Sequence, residues 1–209
     1  IPHALKTHLT VLPEALALVR QSGDMYATAA ADDLLPLVQQ AQVLAMQFDA
    51  VVANPPYMNN GYFRPLLKEF VENQYGAGKA DLYGCFILRS QLFCSDNGTF
   101  GMITIPNWMF LAGFEKLRNG LIRESTIESL IHNGRGVWGS DFGSCSFVIR
   151  NKSMQKFQGS YKRLFDVQGE VQSNEELKAK FFSSKYYLNA ISEFEKIPSY
   201  PIAYWMSKN

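Results

Sequence analysis

Asn54-Pro55-Pro56-Tyr57 is the stretch of this chain best equipped for chemistry. It offers an amide side chain, main-chain carbonyls on a backbone that two prolines stiffen, and one aromatic face. Asn54 precedes a proline and is driven to an extended conformation. The side-chain oxygen of Asn54 and the carbonyl of Pro55 can together accept both hydrogens of a planar NH2 group, while Tyr57 stacks on the ring that carries it. An adenine or cytosine ring meets that description. Its amine is a weak nucleophile because the lone pair is delocalised into the ring. Drawing both N–H bonds towards acceptors localises that pair. The same oxygens stabilise the positive charge that develops as the nitrogen attacks an electrophile, electrostatic stabilisation of the oxyanion-hole kind with the sign reversed. No general base is required at such a transition state, and no His–carboxylate pair stands nearby in the sequence. The plainer alternative is a Pro-rich turn with a packed tyrosine.

The element that must position this loop is Phe48-Asp49-Ala50-Val51-Val52-Ala53, an apolar run that reads as a buried strand of a parallel sheet. Open α/β sheets place ligands at the carboxyl ends of such strands, where the prolines force the chain out of the sheet. Upstream, residues 1–47 read as a helical lead-in. Pro13–Arg20 is Ala/Leu-rich, Gln21–Ala31 is a linker, and Asp32-Asp33 open a helix to Met46 with Pro36 in its first turn. Downstream, Tyr62–Tyr75 has helical spacing and Gly76-Ala77-Gly78 ends it. Asp81 caps a helix to about Ser95, Asn97-Gly98 is a turn, and Thr99–Ile105 is a second strand. A helix over Gly113–Arg123 precedes strands at Thr126–His132 and Ser144–Arg150, which pair as an antiparallel hairpin at one sheet edge.

After Arg150 the character changes. Lys152, Lys156, Lys162 and Arg163 form a locally basic stretch, read as a solvated face rather than a phosphate track. Asn174–Ser183 and Lys185–Glu195 read as helices. Residues 48–150 are thus expected to hold a catalytic-loop half-domain and residues 151–209 the exit from it.

Composition narrows the classes. With 209 residues, 47% apolar and 13% aromatic, the chain can bury a real core. A net charge of +1 leaves no global basic field for nucleic acid, so any DNA contact must be local. Cys85, Cys94 and Cys145 form no CxxC pair and read as free thiols of a reducing, cytoplasmic setting. His3, His8 and His132 are scattered, so no metal site is expected. No run approaches the ~18 apolar residues of a membrane span. Gly134-Arg135-Gly136-Val137-Trp138-Gly139 formally satisfies GxGxxG but is followed by a strand, not a helix, so no dinucleotide site is expected there.

The run FDAVVANPPY, Phe48 to Tyr57, resembles motif IV of the amino-group DNA methyltransferases that use S-adenosylmethionine. The resemblance continues in order. Ala80-Asp81-Leu82-Tyr83-Gly84-Cys85-Phe86 is similar to motif V, and Asn97 to Pro106 to motif VI. Gly136 to Phe142, followed by Ser146-Phe147-Val148-Ile149, is similar to the motif VIII hairpin. Details including Pro201-Ile202-Ala203-Tyr204-Trp205 resemble the PglX adenine-specific methyltransferases of BREX phage-defence systems. The resemblance implies an α/β, partial Rossmann-like methyltransferase fold with a terminal β-hairpin. It implies methyl transfer from S-adenosylmethionine to the N6 amine of an adenine flipped from double-stranded DNA, with other defence-system proteins as partners. In that frame Asn54, Pro55, Pro56 and Tyr57 are the catalytic loop. Asp81, Leu82, Tyr83 and Phe86 line the pocket for the cofactor's adenine. Trp138, with Phe142 second to it, stacks on the target base opposite Tyr57.

The chain departs from the family upstream of Phe48, where no Gly-rich turn for the cofactor's methionine end appears. It begins at Ile1 and is expected to start inside a larger protein. The expectations are weak cofactor binding by this stretch alone, an exposed apolar strand edge at residues 48–53, and self-association through it. Methyltransferases acting on glutamine or ribosomal RNA remain open, since those amines pose the same planar problem. A non-catalytic DNA- or protein-binding component of a defence complex remains open too.

Overall fold

The computed structural model describes residues 3–137 and 142–206. They fall into two compact units that divide after Gln47. The first consists of α1 (His3–His8), α2 (Leu12–Arg20) and α3 (Met25–Ala45). Helix α3 starts well before the expected Asp32. Asp24 is its N-cap, accepting from the N–H groups of Tyr26 at 2.8 Å and Ala27 at 3.2 Å. The alanine-rich turn that follows has high helix propensity, so the expected linker is short and Pro36 lies inside the helix. Arg20 and Asp32 pair across α2 and α3 at 2.7 Å.

The second unit is built on a six-stranded sheet. Its strands are β1 (Phe48–Ala53), β2 (Cys94–Thr104), β3 (Thr126–Gly134), β4 (Ser144–Arg150), β5 (Gln158–Arg163) and β6 (Tyr186–Ala190). Their order is β1-β2-β4-β3-β5-β6. The pairs β1–β2 and β3–β5 are parallel, and β4 and β6 are antiparallel to their neighbours. It follows that β1, β2, β3 and β5 all point one way, and their carboxyl ends form one rim. The helices are α4 (Pro65–Gln74), α5 (Leu82–Phe93), α6 (Glu115–Glu124), α7 (Asn174–Ser183) and α8 (Ile191–Glu195). Helix α5 runs straight into β2, and the expected Asn97-Gly98 turn is a left-handed kink within that strand, with Asn97 at φ 68°. The β1–β2 register shifts where it sits.

Four expectations are corrected. The β3–β4 hairpin lies in the middle of the sheet, not at an edge, because β5 adds to the free side of β3. Residues after Arg150 do not leave the domain. Tyr161, Phe194, Ile202 and Tyr204 join Phe100, Trp108 and Phe147 in one hydrophobic cluster. The expected helix at Lys185–Glu195 is instead β6 followed by the short α8, since Tyr186-Tyr187-Leu188 fits a pleated, half-buried surface. Within the supposed solvated basic face, Lys162 is buried, with Nζ over the rings of Phe181 and Tyr186.

One buried side chain locks this unit. Arg118 is fully buried and donates to the carbonyls of Trp108 at 2.9 Å, Leu111 at 2.7 Å and Ser199 at 2.8 Å, fixing the last segment to the core. At the other end, β1 is the terminal strand of the sheet, and Val52 on it is 86% exposed.

Candidate active site

Strand β1 ends at Ala53, and the four residues that follow have no regular structure. All peptide bonds among the described residues are trans. Pro55 is buried, whereas Asn54, Pro56 and Tyr57 reach the surface. Two clamps hold the loop. On the near side, the Tyr57 hydroxyl lies 3.1 Å from the carbonyl of Ile103 in β2 and 3.3 Å from Asn54 Oδ1. Its single proton is shared between these acceptors. On the far side, the Met58 N–H donates to Asp81 Oδ1 at 2.9 Å, and the Leu82 N–H donates to the Met58 carbonyl at 2.9 Å. The Tyr57 ring meets Tyr83 edge-on at 6.1 Å. Burial and then Cys145 push the Tyr57 phenol above its ordinary value, so it stays protonated.

Asp81 has two tasks within the fold. It N-caps α5 through the Tyr83 N–H at 3.4 Å and anchors Met58. Burial raises its pKa, and the N–H groups of Met58, Tyr83 and Leu82 oppose that rise. Gly84, in the next turn of α5, lets the backbone at Gly78 pack against the helix, since a Cβ on Gly84 would come within 2.6 Å of the Gly78 carbonyl. Tyr83 is a core residue rather than the wall of an open pocket, stacked on Phe114 at 5.4 Å and 1% exposed. Leu82 and Phe86 do line an open space, an apolar cavity of about 180 Å³ shared with Leu67, Phe70, Val71 and Arg89.

Phe142, which sequence reasoning set against the target base, borders a different cavity of about 250 Å³, together with Asn107, Phe110, His132, Arg135 and Gln168. Trp138 lies outside the described residues. A cavity of about 740 Å³ between the end of α4 and the start of α6 is lined by none of the expected site residues.

His132 is a residue that sequence reasoning passed over. It is 6% exposed, its Nδ1 lies 3.2 Å from the Tyr204 hydroxyl, and Phe165 meets it edge-on at 4.8 Å. Burial and the neighbouring Arg163 push it down to about 4, so the ring is neutral. The thiols of Cys85 and Cys145 are pushed up to about 11, chiefly by burial, and are inert. Among the described residues, no group of His, Cys, Asp and Glu could hold a metal ion, and no helix is long and apolar enough to cross a membrane.

Comparison with known proteins gives the family and the fold. Residues 21–138 match the Eco57I restriction-modification methylase family, and the chain belongs to that family. It is 32% identical, over 98% of its length, to the adenine-specific methyltransferase BrxX of Escherichia coli O9:H4 (strain HS), of which it covers 17%. It is 33% identical, over 84% of its length, to the adenine-specific methyltransferase PglX of Lacticaseibacillus casei (strain Zhang), of which it covers 15%. The chain therefore spans about a sixth of the length of these relatives. A type I restriction-modification methyltransferase subunit from Streptococcus thermophilus superposes with a TM-score of 0.51 at 13% identity, over 72% of this chain and 36% of that one. The α/β, Rossmann-like methyltransferase fold is thus the fold of this chain.

Proposed function

We propose that the protein carrying this member of the Eco57I methylase family transfers a methyl group from S-adenosylmethionine to the N6 amine of an adenine flipped out of double-stranded DNA, in restriction-modification or phage defence. The observation that carries the reading is the loop at the end of β1. Clamped on both sides by Ile103 and Asp81, it leaves the Asn54 side chain exposed on the rim. Relatives described as adenine-specific methyltransferases support the choice of base.

In this reading the target amine donates to Asn54 Oδ1 and the Pro55 carbonyl, and Tyr57 stacks on the ring. Asn54 localises the nitrogen lone pair and stabilises the charge it acquires. Pro56 keeps the two acceptors from turning away. Stacking on an aromatic contributes ~1–3 kcal/mol per base, which offsets part of the cost of leaving the duplex. The surplus proton leaves after transfer, so no base among the chain's residues is required.

When bound, S-adenosylmethionine supplies a methyl group on a sulfonium centre. Of the four residues expected to hold its adenine, Leu82 and Phe86 fit, since they border an apolar cavity with room for one flat ring system. Asp81 acts from behind by capping α5, and Tyr83 is already packed in the core. The sequence holds no Gly-rich turn upstream of Phe48 for the methionine end. Protein partners from the same defence system belong to this proposal as well.

The test is mass spectrometry for N6-methyladenine in DNA incubated with the protein in its full natural length and S-adenosylmethionine, beside the Asn54→Ala variant. Methyladenine with the parent and almost none with the variant is expected. Equal yields would remove Asn54 from the mechanism. Methylation of glutamine or ribosomal RNA in place of DNA would overturn the reading.

A further inference from the structure

The cavity bordered by Phe142 and His132 is not used by the reaction proposed above, yet it opens on the same rim. Tyr57 bonds to Ile103 in β2, and two residues further along β2's exit Ile105 begins the cavity wall. The opposite wall is the turn that follows β3. Gly134 and Gly136 hold this turn in the left-handed region, at φ 88° and 80°. A Cβ on Gly134 would also collide with the Phe165 ring at 2.7 Å. Two residues that only glycine replaces without strain thus bracket Arg135 and set it at the mouth of the cavity. The GxG that reads as a failed dinucleotide motif has its physical reason here.

The lining is rich in donors. Arg135, Asn107 and Gln168 contribute a guanidinium and two amides, and none of the three side chains has a hydrogen-bond or ion-pair partner among the described residues. Among the described residues, no Asp or Glu lines the cavity. The fourth group is His132, whose Nε2 is buried and unpaired. Its Nδ1 is taken up by the Tyr204 hydroxyl; in the tautomer in which Tyr204 donates to Nδ1, the single proton of the neutral ring sits on Nε2. A buried polar atom left unpaired costs on the order of 1–3 kcal/mol, so a hydrogen-bonding group belongs at this wall.

We propose that this cavity is a second nucleic-acid subsite, one that grips a phosphodiester of the DNA strand leading to or from the flipped base. Arg135 holds the phosphate with charge, Asn107, Gln168 and His132 Nε2 donate to its oxygens, and the adjoining sugar rests on Phe142. The fit follows from three observations: one cation with no carboxylate against it among the described residues, an unpaired buried ring nitrogen, and a place on the rim shared with the amine site. With a net charge of only +1, affinity for DNA has to come from such local contacts. The inference rests on the reading of the protein as acting on DNA.

The experiment is the salt dependence of binding. The full-length protein, Arg135→Gln, Arg135→Lys and Asn54→Ala are titrated with fluorescent duplexes of several sequences over a range of salt concentrations. Each phosphate contact contributes about 0.9 to the slope of log K against log salt. Arg135→Gln is expected to reduce the slope by about one and to weaken all duplexes alike, and Arg135→Lys to restore it. Asn54→Ala removes no cation and keeps the slope. An unchanged slope in Arg135→Gln overturns the subsite. A loss confined to duplexes with one particular base also overturns it, because the group held is then a base edge. If the unaltered protein shows no salt-dependent binding to any duplex, the DNA reading itself falls, a result distinct from the other two.

Discussion

The rim of the sheet carries two loops that are built in opposite ways. The loop after β1 is stiffened by two prolines and clamped by hydrogen bonds to Ile103 and Asp81. The turn after β3 is shaped by two left-handed glycines. The first presents acceptors, the Asn54 side chain and a proline carbonyl. The second opens on a cavity lined by donors. Each rests on a buried titratable residue pushed towards its neutral form, Asp81 upwards and His132 down to about 4. One lies beyond an edge strand and the other deep in the sheet. Acceptors suit an amine that becomes positive during reaction; donors suit an anion that never changes. That difference is in keeping with the proposal of chemistry at the first loop and grip at the second.

The sharpest way to break that division is to remove Asn54. If the first loop does the chemistry, Asn54→Ala lowers single-turnover methyl transfer by about 10²–10³, the usual loss for a preorganised electrostatic contact. DNA affinity stays near that of the unaltered protein. A large loss of affinity with little change in rate would reverse the assignment.

The second test addresses what supports each loop. His132 has a folded-state pKa of about 4 against an ordinary 6.5. As pH falls below 6.5 the unfolded chain takes up a proton that the folded chain refuses. The stability from the neutral ring is therefore whole above 6.5 and is lost as pH drops through 4. The loss amounts to about 3 kcal/mol. His132→Phe keeps the packing against Phe165 and removes the titration. Denaturant unfolding as a function of pH is expected to show a steeper decline for the unaltered protein than for this variant over that window. Parallel curves would show that His132 charges freely in the folded state.

Asp81 is the smaller support. Asp81→Ala removes an N-cap and leaves the Met58 N–H unpaired, for a combined loss of about 1–3 kcal/mol in thermal or chemical unfolding. Asp81→Asn retains an acceptor oxygen and recovers most of it. If both variants unfold alike, the carboxylate charge and not the cap is what matters.

The two loops were also unequally legible in the sequence. The first was plain, since an apolar run broken by Asn-Pro-Pro-Tyr can hardly be anything but a strand that stops. Asp81 was legible as a cap because a short polar residue precedes an apolar helix. The role of Asp81 in anchoring Met58 was not legible, because that bond spans 23 residues of chain. The second region was read as the sheet's edge. Gln158-Gly159-Ser160-Tyr161-Lys162-Arg163 is too polar to announce itself, and becomes a strand only by pairing with β3. Gly159 enters that strand closely, with a Cβ there 2.3 Å from the Ile127 carbonyl. Without β5, Tyr204 has no Tyr161 ring to stack on, and His132, which meets the Tyr204 hydroxyl, loses part of what buries it. Tyr83 was assigned to a pocket by its place in a motif, whereas its stacking on Phe114 depends on an element 31 residues away that no local pattern reveals.

The finest distinction lies in the Tyr57 hydroxyl. In this structure it stands 3.3 Å from the Asn54 oxygen proposed to accept from the target amine and 3.1 Å from the Ile103 carbonyl. The ring and the hydroxyl therefore have opposing effects. In the proposed mechanism the ring offers a face for the base, while the hydroxyl engages the acceptor assigned to the amine. Tyr57→Ala removes both and is expected to weaken the transition state by ~1–3 kcal/mol, the value of one stacked base. Tyr57→Phe keeps the face, frees Asn54 and unpairs only the Ile103 carbonyl at a partly exposed site. Its expected effect is under about 1 kcal/mol, or less than about fivefold in kcat/KM, with kcat unchanged or slightly raised. A loss in Tyr57→Phe as deep as that in Tyr57→Ala would mean that the hydroxyl, through Ile103, is what holds the loop in its working shape. The clamp would then outrank the stacking face in this loop.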